Sequence, residues 1–230
     1  MCGRFTLIQD AAILQQHLKA QNVPYLQPRY NIAPGQPVLT LRKTVEGKQW
    51  FWMRWGLIPA WAKDPTISNK LINAKAETLR EKPSFREAFT KRRCLIPASG
   101  FYEWQKQGKY KQPYYLTVTE REPIAMAGLW ECWKSPTGQV IESCTILTTQ
   151  ANEKVNLLHN RMPVILERNS YDLWLDGPTE DVDKILTPYP AHKMKVYPVS
   201  KSVNDATYDA QECLEEVAAI GVQTSLDLRL

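Results

Sequence analysis

The sequence lacks the cysteine and histidine patterns from which metal sites and disulfide frameworks are built. It has five cysteines, an odd number with no CxxC pair, and only three histidines. Zinc sites need ligands at characteristic spacings, and disulfide frameworks generally need an even cysteine count. We therefore predict no metal, no cofactor and no disulfide framework. Cys94, Cys132 and Cys144 lie in strand-like stretches and are predicted to be small buried side chains.

Long apolar runs and a leader signal are also missing. No run approaches the roughly 20 apolar residues that would span a bilayer, and polar Gln9 and Asp10 interrupt any signal pattern early. The 230 residues, 43% hydrophobic and 23% charged, have an ordinary globular composition, without a linker or repeat. We expect a monomer in the cytoplasm, associated with the nucleoid if the cell is bacterial, and no membrane partner.

Basic and aromatic residues are abundant and interleaved. The net charge is +5, and the chain has eight tryptophans and ten tyrosines. Positive charge can hold a phosphate backbone while rings stack on bases, so this mixture suits single-stranded nucleic acid. Composition alone does not separate this from a core of aromatic rings under a solvated charged surface.

The pattern of apolar residues predicts an α+β domain. Three pairs of strand-like segments flank turns and indicate curved antiparallel sheets that close into a barrel-like core, flanked by short helices. The predicted strand pairs are 38–43 with 49–58, 94–105 with 113–119, and 124–133 with 140–149, with a last strand at 194–199. Helices are predicted at 10–20, where Asp10 can cap the first turn, and at 84–91, 150–158, 169–175 and 179–186, with a proline-rich loop at 23–37.

Cys2 has an unusual potential reactivity because it follows the initiator Met1. If Met1 is removed, Cys2 carries an amine and a thiol that can condense with an aldehyde, first to an imine and then to a thiazolidine ring. Ordinary pKa values of roughly 7.7–8.0 for the amine and about 8.5 for the thiol suit this reaction near neutral pH. Arg4 would favour the thiolate if its guanidinium lies close. The alternative is an ordinary residue in a frayed terminus.

Four further polar residues stand among apolar or turn-forming neighbours. Glu103 lies among aromatic residues, where burial would raise its pKa and suit it to general acid–base catalysis. It can also be read as an edge-strand glutamate in water. His159 can be read as a catalyst or a loop histidine, and Asn31 and Asn73 as site residues or as turn residues.

Six motifs together carry a family resemblance. They are Met1-Cys2-Gly3-Arg4-Phe5, Arg29-Tyr30-Asn31-Ile32-Ala33-Pro34, Trp55-Gly56-Leu57-Ile58-Pro59, Ile72-Asn73-Ala74-Lys75-Ala76-Glu77-Thr78, Gly100-Phe101-Tyr102-Glu103-Trp104 and His159-Asn160-Arg161-Met162-Pro163. In this order they resemble the SOS-response-associated peptidase-like (SRAP) family, whose members shield abasic sites in DNA. The resemblance implies one SRAP-like domain over 1–205, with Met1 removed, and a C-terminal extension of unknown role over 206–230.

The resemblance also implies catalytic roles. Cys2 would be the nucleophile that cross-links to the ring-opened abasic deoxyribose. Glu103 and His159 match the family's catalytic positions, and Asn31 and Asn73 match its site asparagines.

The DNA contacts implied by the resemblance lie in the same motifs. Arg4 and Arg161 match arginines that hold phosphates, and Thr148 lies where the family places a site threonine. Trp55, Gly56 and the stretch to Trp61 match a segment that packs against bases. Lys75 stands where the family usually has arginine, so it keeps a phosphate contact but loses bidentate geometry.

The resulting prediction is a sensor and shield of abasic sites in single-stranded DNA. It would act as a lyase-like enzyme that forms a thiazolidine cross-link through Cys2, with autoproteolytic peptidase activity at Met1. Two alternatives are a peptidase or amidohydrolase with Cys2 as nucleophile, and a non-covalent binder of single-stranded DNA.

Overall fold

The computed structural model describes residues 2–108, 110–118 and 122–219. Its strands are β1 Phe5–Leu7, β2 Arg29–Ile32, β3 Pro37–Thr44, β4 Gly47–Trp55, β5 Asn73–Lys75, β6 Arg93–Ala98, β7 Gly100–Gln107, β8 Tyr110–Val118, β9 Ile124–Lys134, β10 Val140–Gln150, β11 Arg161–Pro163, β12 Ile165–Leu166 and β13 Met194–Pro198. The α-helices are α1 Ala11–Leu18, α2 Arg86–Lys91, α3 Glu153–Asn156, α4 Tyr171–Asp176 and α5 Thr179–Val182. Short 3₁₀ helices lie at Pro65–Lys70, Ala76–Thr78, Arg168–Ser170, Asp183–Ile185, Ala191–Lys193, Lys201–Asn204 and Gln211–Leu214.

Five strands close into a barrel. β3 pairs with β4 and β6, β6 pairs with β9, and β9 pairs with β10, all antiparallel. β10 then pairs with β4 in parallel and completes the ring. The short strands β5 and β11 continue from β10, and β12 continues from β9. The predicted α+β fold with a barrel-like core and short flanking helices is confirmed.

A second, antiparallel sheet has the strand order β13-β8-β7-β1-β2. β1 lies between β7 and β2, since Phe5 is opposite Phe101 on β7 and Ile32 on β2. All three side chains of β1 are buried. The N-terminal strand is therefore an interior strand of this sheet, and it carries Cys2 into the protein.

The structure corrects three local predictions. The segment 94–105 is two strands in different sheets, divided where a Cβ on Gly100 would lie 2.5 Å from the carbonyl oxygen of Leu116. The loop 23–37 contains β2, whose partner is distant in sequence. Cys132 is exposed, because alternate residues at this end of β9 face water, whereas Cys94 and Cys144 are buried as predicted.

The remaining described residues after the last strand pack onto the same body. Cys213 is buried, its carbonyl accepts a hydrogen bond from the Tyr102 hydroxyl at 3.3 Å, and the Val217 amide donates to Pro198 at 3.0 Å. Within the described ranges, no helix has the length and apolar character that crossing a membrane would require.

Candidate functional site

Cys2 is fully buried and is held from both sheets. The Arg4 carbonyl accepts a hydrogen bond from the Tyr102 amide at 3.0 Å, which extends the β1–β7 pairing towards the N-terminus. The Cys2 carbonyl accepts from Asn73 Nδ2 at 2.9 Å. Because Asn73 belongs to β5, on the barrel, these contacts fix Cys2 where the two sheets meet. They are incompatible with a frayed terminus.

Glu103 is buried beside this residue, with 3% of its surface exposed. Burial raises the pKa of the Glu103 carboxyl above its ordinary value. Burial also raises the pKa of the Cys2 thiol, and the nearby charge of Glu103 adds to that rise. The Arg4 guanidinium is directed towards Asn31 and the Val203 carbonyl, so the condition under which Arg4 would favour the thiolate is not met. A neutral thiol beside a carboxyl of raised pKa is suited to proton transfer between the two groups.

Arg4 and Asn31 contact each other, but both are turned towards the C-terminal part of the chain. Arg4 Nη1 donates to Asn31 Oδ1 at 2.8 Å and to the Val203 carbonyl at 2.6 Å. Asn31 is fully buried, and its Nδ2 donates to the carbonyls of Asp205 at 2.8 Å and Tyr208 at 2.7 Å. Asn31 is thus surrounded by protein acceptors.

Strand β10 brings four predicted site residues together. Asn73 and Lys75 on β5 lie opposite Ile146 and Thr148 of β10, while Arg161 on β11 lies opposite Gln150. Lys75 is exposed and Thr148 is buried. A cavity of about 540 Å³ opens over this edge, lined in part by Lys75 and Arg161.

His159 is oriented by the residue two places further along the chain. Its Nδ1 accepts a hydrogen bond from the Arg161 amide at 3.0 Å. Burial lowers the pKa of His159, which favours the neutral ring. Since Nδ1 acts as acceptor, the proton of the neutral ring is on Nε2, which can donate a hydrogen bond.

Arg161 forms an ion pair with Glu77, a residue for which the sequence predicted no role. Its Nη1 and Nη2 donate to the two carboxylate oxygens of Glu77 at 2.6 and 2.8 Å, and Nη2 also donates to the Thr148 carbonyl. The hydrogen bond from Arg161 lowers the pKa of Glu77. Glu77 lies inside a recognised motif, but the pairing joins residues 84 positions apart. No local pattern marks it.

The predicted base-contacting segment divides into buried and exposed parts. Trp55 is fully buried, packs edge-on against Phe5 with ring centroids 5.2 Å apart, and donates from Nε1 to the Ile72 carbonyl at 2.9 Å. Its ring therefore has no face on which a base could stack here. Gly56 has φ +124°, and a Cβ would lie 2.8 Å from the Ser68 carbonyl oxygen. Trp61, by contrast, is 59% exposed.

No group of three or more potential metal-ligating acidic, histidine or cysteine side chains occurs in the described ranges. The titratable side chains described at the site are Cys2, Glu103 and His159, and the amide of Asn73 lies beside Cys2.

Comparison with known proteins extends over the whole fold. The family model described as SOS response associated peptidase (SRAP) matches residues 1–206. The chain is 42% identical over 222 residues to the abasic site processing protein YoqW of Bacillus subtilis (strain 168), covering 94% of this chain and 99% of that protein. It is 33% identical over 225 residues to the abasic site processing protein HMCES of Xenopus tropicalis, covering 83% of this chain and 67% of that protein.

Solved structures show the same architecture. A crystal structure of a protein from Bacteroides thetaiotaomicron superposes with a TM-score of 0.78 at 27% identity, covering 87% of this chain and 93% of that one. One from Bordetella bronchiseptica gives 0.74 at 26%, covering 86% of this chain and all of that one. With the family model matching nearly the whole described chain, this protein belongs to the SOS response associated peptidase (SRAP) family.

Proposed function

We propose that this protein processes abasic sites in single-stranded DNA by forming a covalent thiazolidine cross-link through Cys2 after removal of Met1. The observation that carries the proposal is the burial of Cys2 between Asn73, which binds its carbonyl at 2.9 Å, and Glu103, whose charge acts on its thiol. Relatives named abasic site processing proteins support the substrate class.

The reaction begins when the abasic deoxyribose opens to its aldehyde. The Cys2 amine adds to the aldehyde carbon, and the carbinolamine loses one water to give an imine. The Cys2 sulfur then forms a C–S bond to the same carbon while the thiol proton passes to nitrogen. The net change is the loss of one water and the formation of one C–N and one C–S bond. Closing the ring removes the imine that would otherwise permit β-elimination and strand cleavage.

Glu103 would move the protons in these steps. Its raised pKa allows the carboxyl to donate a proton to the departing oxygen and then to accept one from the Cys2 thiol. His159, neutral with its proton on Nε2, would donate a hydrogen bond to the sugar oxygen released on ring opening. Acid–base assistance of this kind typically accelerates a step by about 10²–10⁴-fold.

Asn73 would orient the amine. Its Nδ2 donates to the Cys2 carbonyl, while its Oδ1 is buried and has no hydrogen-bond partner among the described residues. A buried acceptor without a partner is costly. Once Met1 is gone, the neutral amine of Cys2 can donate an N–H to this oxygen, which directs the lone pair of the nitrogen towards the substrate carbon.

The edge formed by β5, β10 and β11 would bind the strand. Lys75 is exposed there. Arg161 lines the same cavity, and its guanidinium would be available to a phosphate once its ion pair with Glu77 breaks. Trp61 offers an exposed ring for stacking on a base. Phosphate contacts release counterions, so binding should weaken with salt.

The test uses single-stranded DNA with one abasic site, incubated with the mature protein and analysed under denaturing conditions. We expect a stable complex that Cys2→Ala abolishes, although this variant keeps the amine. Equal adduct in Cys2→Ala would refute the thiazolidine. Turnover of peptides without any adduct would favour a peptidase. Equal affinity for intact and abasic strands without an adduct would favour a non-covalent binder.

Removal of Met1 is a second reaction that the same pair could support. Hydrolysis of the Met1–Cys2 peptide bond consumes one water and needs a nucleophile and a proton donor, roles open to Cys2 and Glu103. Intact-mass measurement after expression would test this, because retention of Met1 in Glu103→Ala but not in wild type is expected only if the protein cleaves itself.

A further inference from the structure

The segment 203–209, called here the C-terminal strap, lies against the residues next to Cys2. Arg4 donates to the strap carbonyls of Val203 at 2.6 Å and Asn204 at 3.3 Å. The side chain of Asn204 accepts from Trp104 Nε1 at 2.7 Å. The strap therefore contacts Arg4, the residue before β1, and it contacts β7 through Trp104, the residue that follows Glu103.

Two side chains fasten the strap to β2. Asn31 Nδ2 donates to the carbonyls of Val203, Asp205 and Tyr208 at 3.2, 2.8 and 2.7 Å, while its Oδ1 accepts from Arg4. Asp209 Oδ1 accepts from the Asn31 amide at 3.0 Å and from the amide before it, and Oδ2 accepts from Arg29 Nε. Both the amide nitrogen and the amide oxygen of Asn31 are therefore hydrogen-bonded to the protein.

We propose that Asn31 and Asp209 are positioning residues: with the C-terminal strap they hold Arg4, and through Arg4 they fix Cys2 against Glu103. Arg4 is two residues from Cys2, and its carbonyl is already fixed by the Tyr102 amide. Fixing its side chain as well leaves the short chain to Cys2 little freedom. Asn31 does not contact the substrate in this account.

The mechanism is one of preorganisation and rests on the proposed cross-linking function. Three groups must reach the aldehyde carbon of the abasic sugar or the oxygen bound to it. They are the Cys2 amine, the Cys2 thiol and the Glu103 carboxyl. Because a misplacement of about 1 Å can cost around 100-fold in rate, loosening the strap should slow the chemical step. It should not change the phosphate contacts of Lys75 and Arg161, since both residues lie on the barrel edge rather than on the strap. Arg4 is assigned no phosphate contact, because its Nη1 donates to Asn31 and to the Val203 carbonyl.

The experiment measures the single-turnover rate of adduct formation over a range of abasic-DNA concentrations. Asp209→Asn replaces one carboxylate oxygen by an amide nitrogen that cannot accept from Arg29 or the backbone. Asn204→Ala removes only the acceptor of Trp104 and changes an exposed residue. Asp183→Asn, which breaks an exposed 2.8 Å ion pair with Arg80, is the matched control.

We expect Asp209→Asn to lower the maximal rate about tenfold, and Asn204→Ala to lower it less. The half-saturating DNA concentration should stay within about twofold, because ground-state binding is untouched. The control should match wild type. An unchanged maximal rate in both variants, or a higher half-saturating concentration at unchanged maximal rate, would overturn the inference. Thermal unfolding of each variant shows that it is folded at the assay temperature, and Asn204→Ala carries the test if Asp209→Asn is not.

The two proposals fail in different ways. No adduct with wild type would refute the cross-linking function itself. A normal adduct with wild type and equally fast adduct formation in Asp209→Asn and Asn204→Ala would refute only the positioning role.

Discussion

Trp55 and Trp61 lie six residues apart and should respond to substitution in opposite ways. Trp55 is fully buried and donates a 2.9 Å hydrogen bond, whereas Trp61 is 59% exposed. In Trp55→Phe the lost hydrogen bond costs about 1 kcal/mol, and the smaller ring and the cavity it leaves cost about 1–2 kcal/mol. For a chain of this length, that lowers the unfolding midpoint by roughly 5–10 °C. The affinity for intact single-stranded DNA should hardly change.

Trp61→Ala should show the reverse pattern. Removing an exposed side chain changes stability by about 0.5 kcal/mol or less. Losing one stacked base costs about 1–3 kcal/mol, which weakens affinity by roughly 5- to 150-fold. Calorimetric unfolding and fluorescence anisotropy on the same preparations measure both quantities. The reasoning is refuted if Trp55→Phe weakens DNA binding without loss of stability, or if Trp61→Ala leaves affinity unchanged.

Three further substitutions test the charged groups. Glu103→Gln should slow adduct formation by about 10²–10⁴-fold. Glu103→Gln should also stabilise the protein at neutral pH by about 1 kcal/mol, because a buried carboxylate is costly. Since the pKa of Glu103 is raised in the folded state, the wild-type protein loses stability as the pH rises from the unfolded-state pKa through the folded-state pKa. A stability difference between wild type and variant that does not vary with pH would contradict this assignment. Glu77→Gln should tighten binding of intact single strands about two- to fivefold by freeing Arg161, and weaker binding in anisotropy titrations would argue against competition between Glu77 and phosphate. Lys75→Met should reduce the slope of log affinity against log salt by about 0.7, whereas an unchanged slope would remove its phosphate contact.

Local sequence signals predicted local structure well. Asp10 caps α1 as predicted, with its carboxylate accepting from the Ile13 amide at 2.8 Å. The hairpin of β3 and β4 forms around Gly47, whose φ of +112° suits glycine. These features depend on residues a few positions apart, so a single sequence contains the necessary information.

The features that the sequence did not predict depend on contacts across the chain. Arg4 reaches the Val203 carbonyl, 199 residues away, and Arg161 pairs with Glu77. Trp55 was expected at a DNA surface, but the parallel pairing of β4 with β10 places it inside. A tryptophan in a strand carries the same local signal whether its face is covered or open. The motifs therefore contain the neighbours of Cys2 that the structure shows, such as Asn73 and Glu103, but they do not indicate which motif residues face a substrate.

The most direct test of the account combines denaturing electrophoresis with mass spectrometry of the Cys2 adduct. Wild type lacking Met1 and Cys2→Ala lacking Met1, both verified by intact mass, are incubated with an oligonucleotide carrying one abasic site, with and without borohydride. The account predicts an unreduced wild-type adduct whose mass is the sum of protein and DNA minus one water, and a Cys2→Ala adduct only when borohydride traps the imine. An unreduced adduct of equal yield in Cys2→Ala, or a wild-type adduct linked through another residue, would contradict it.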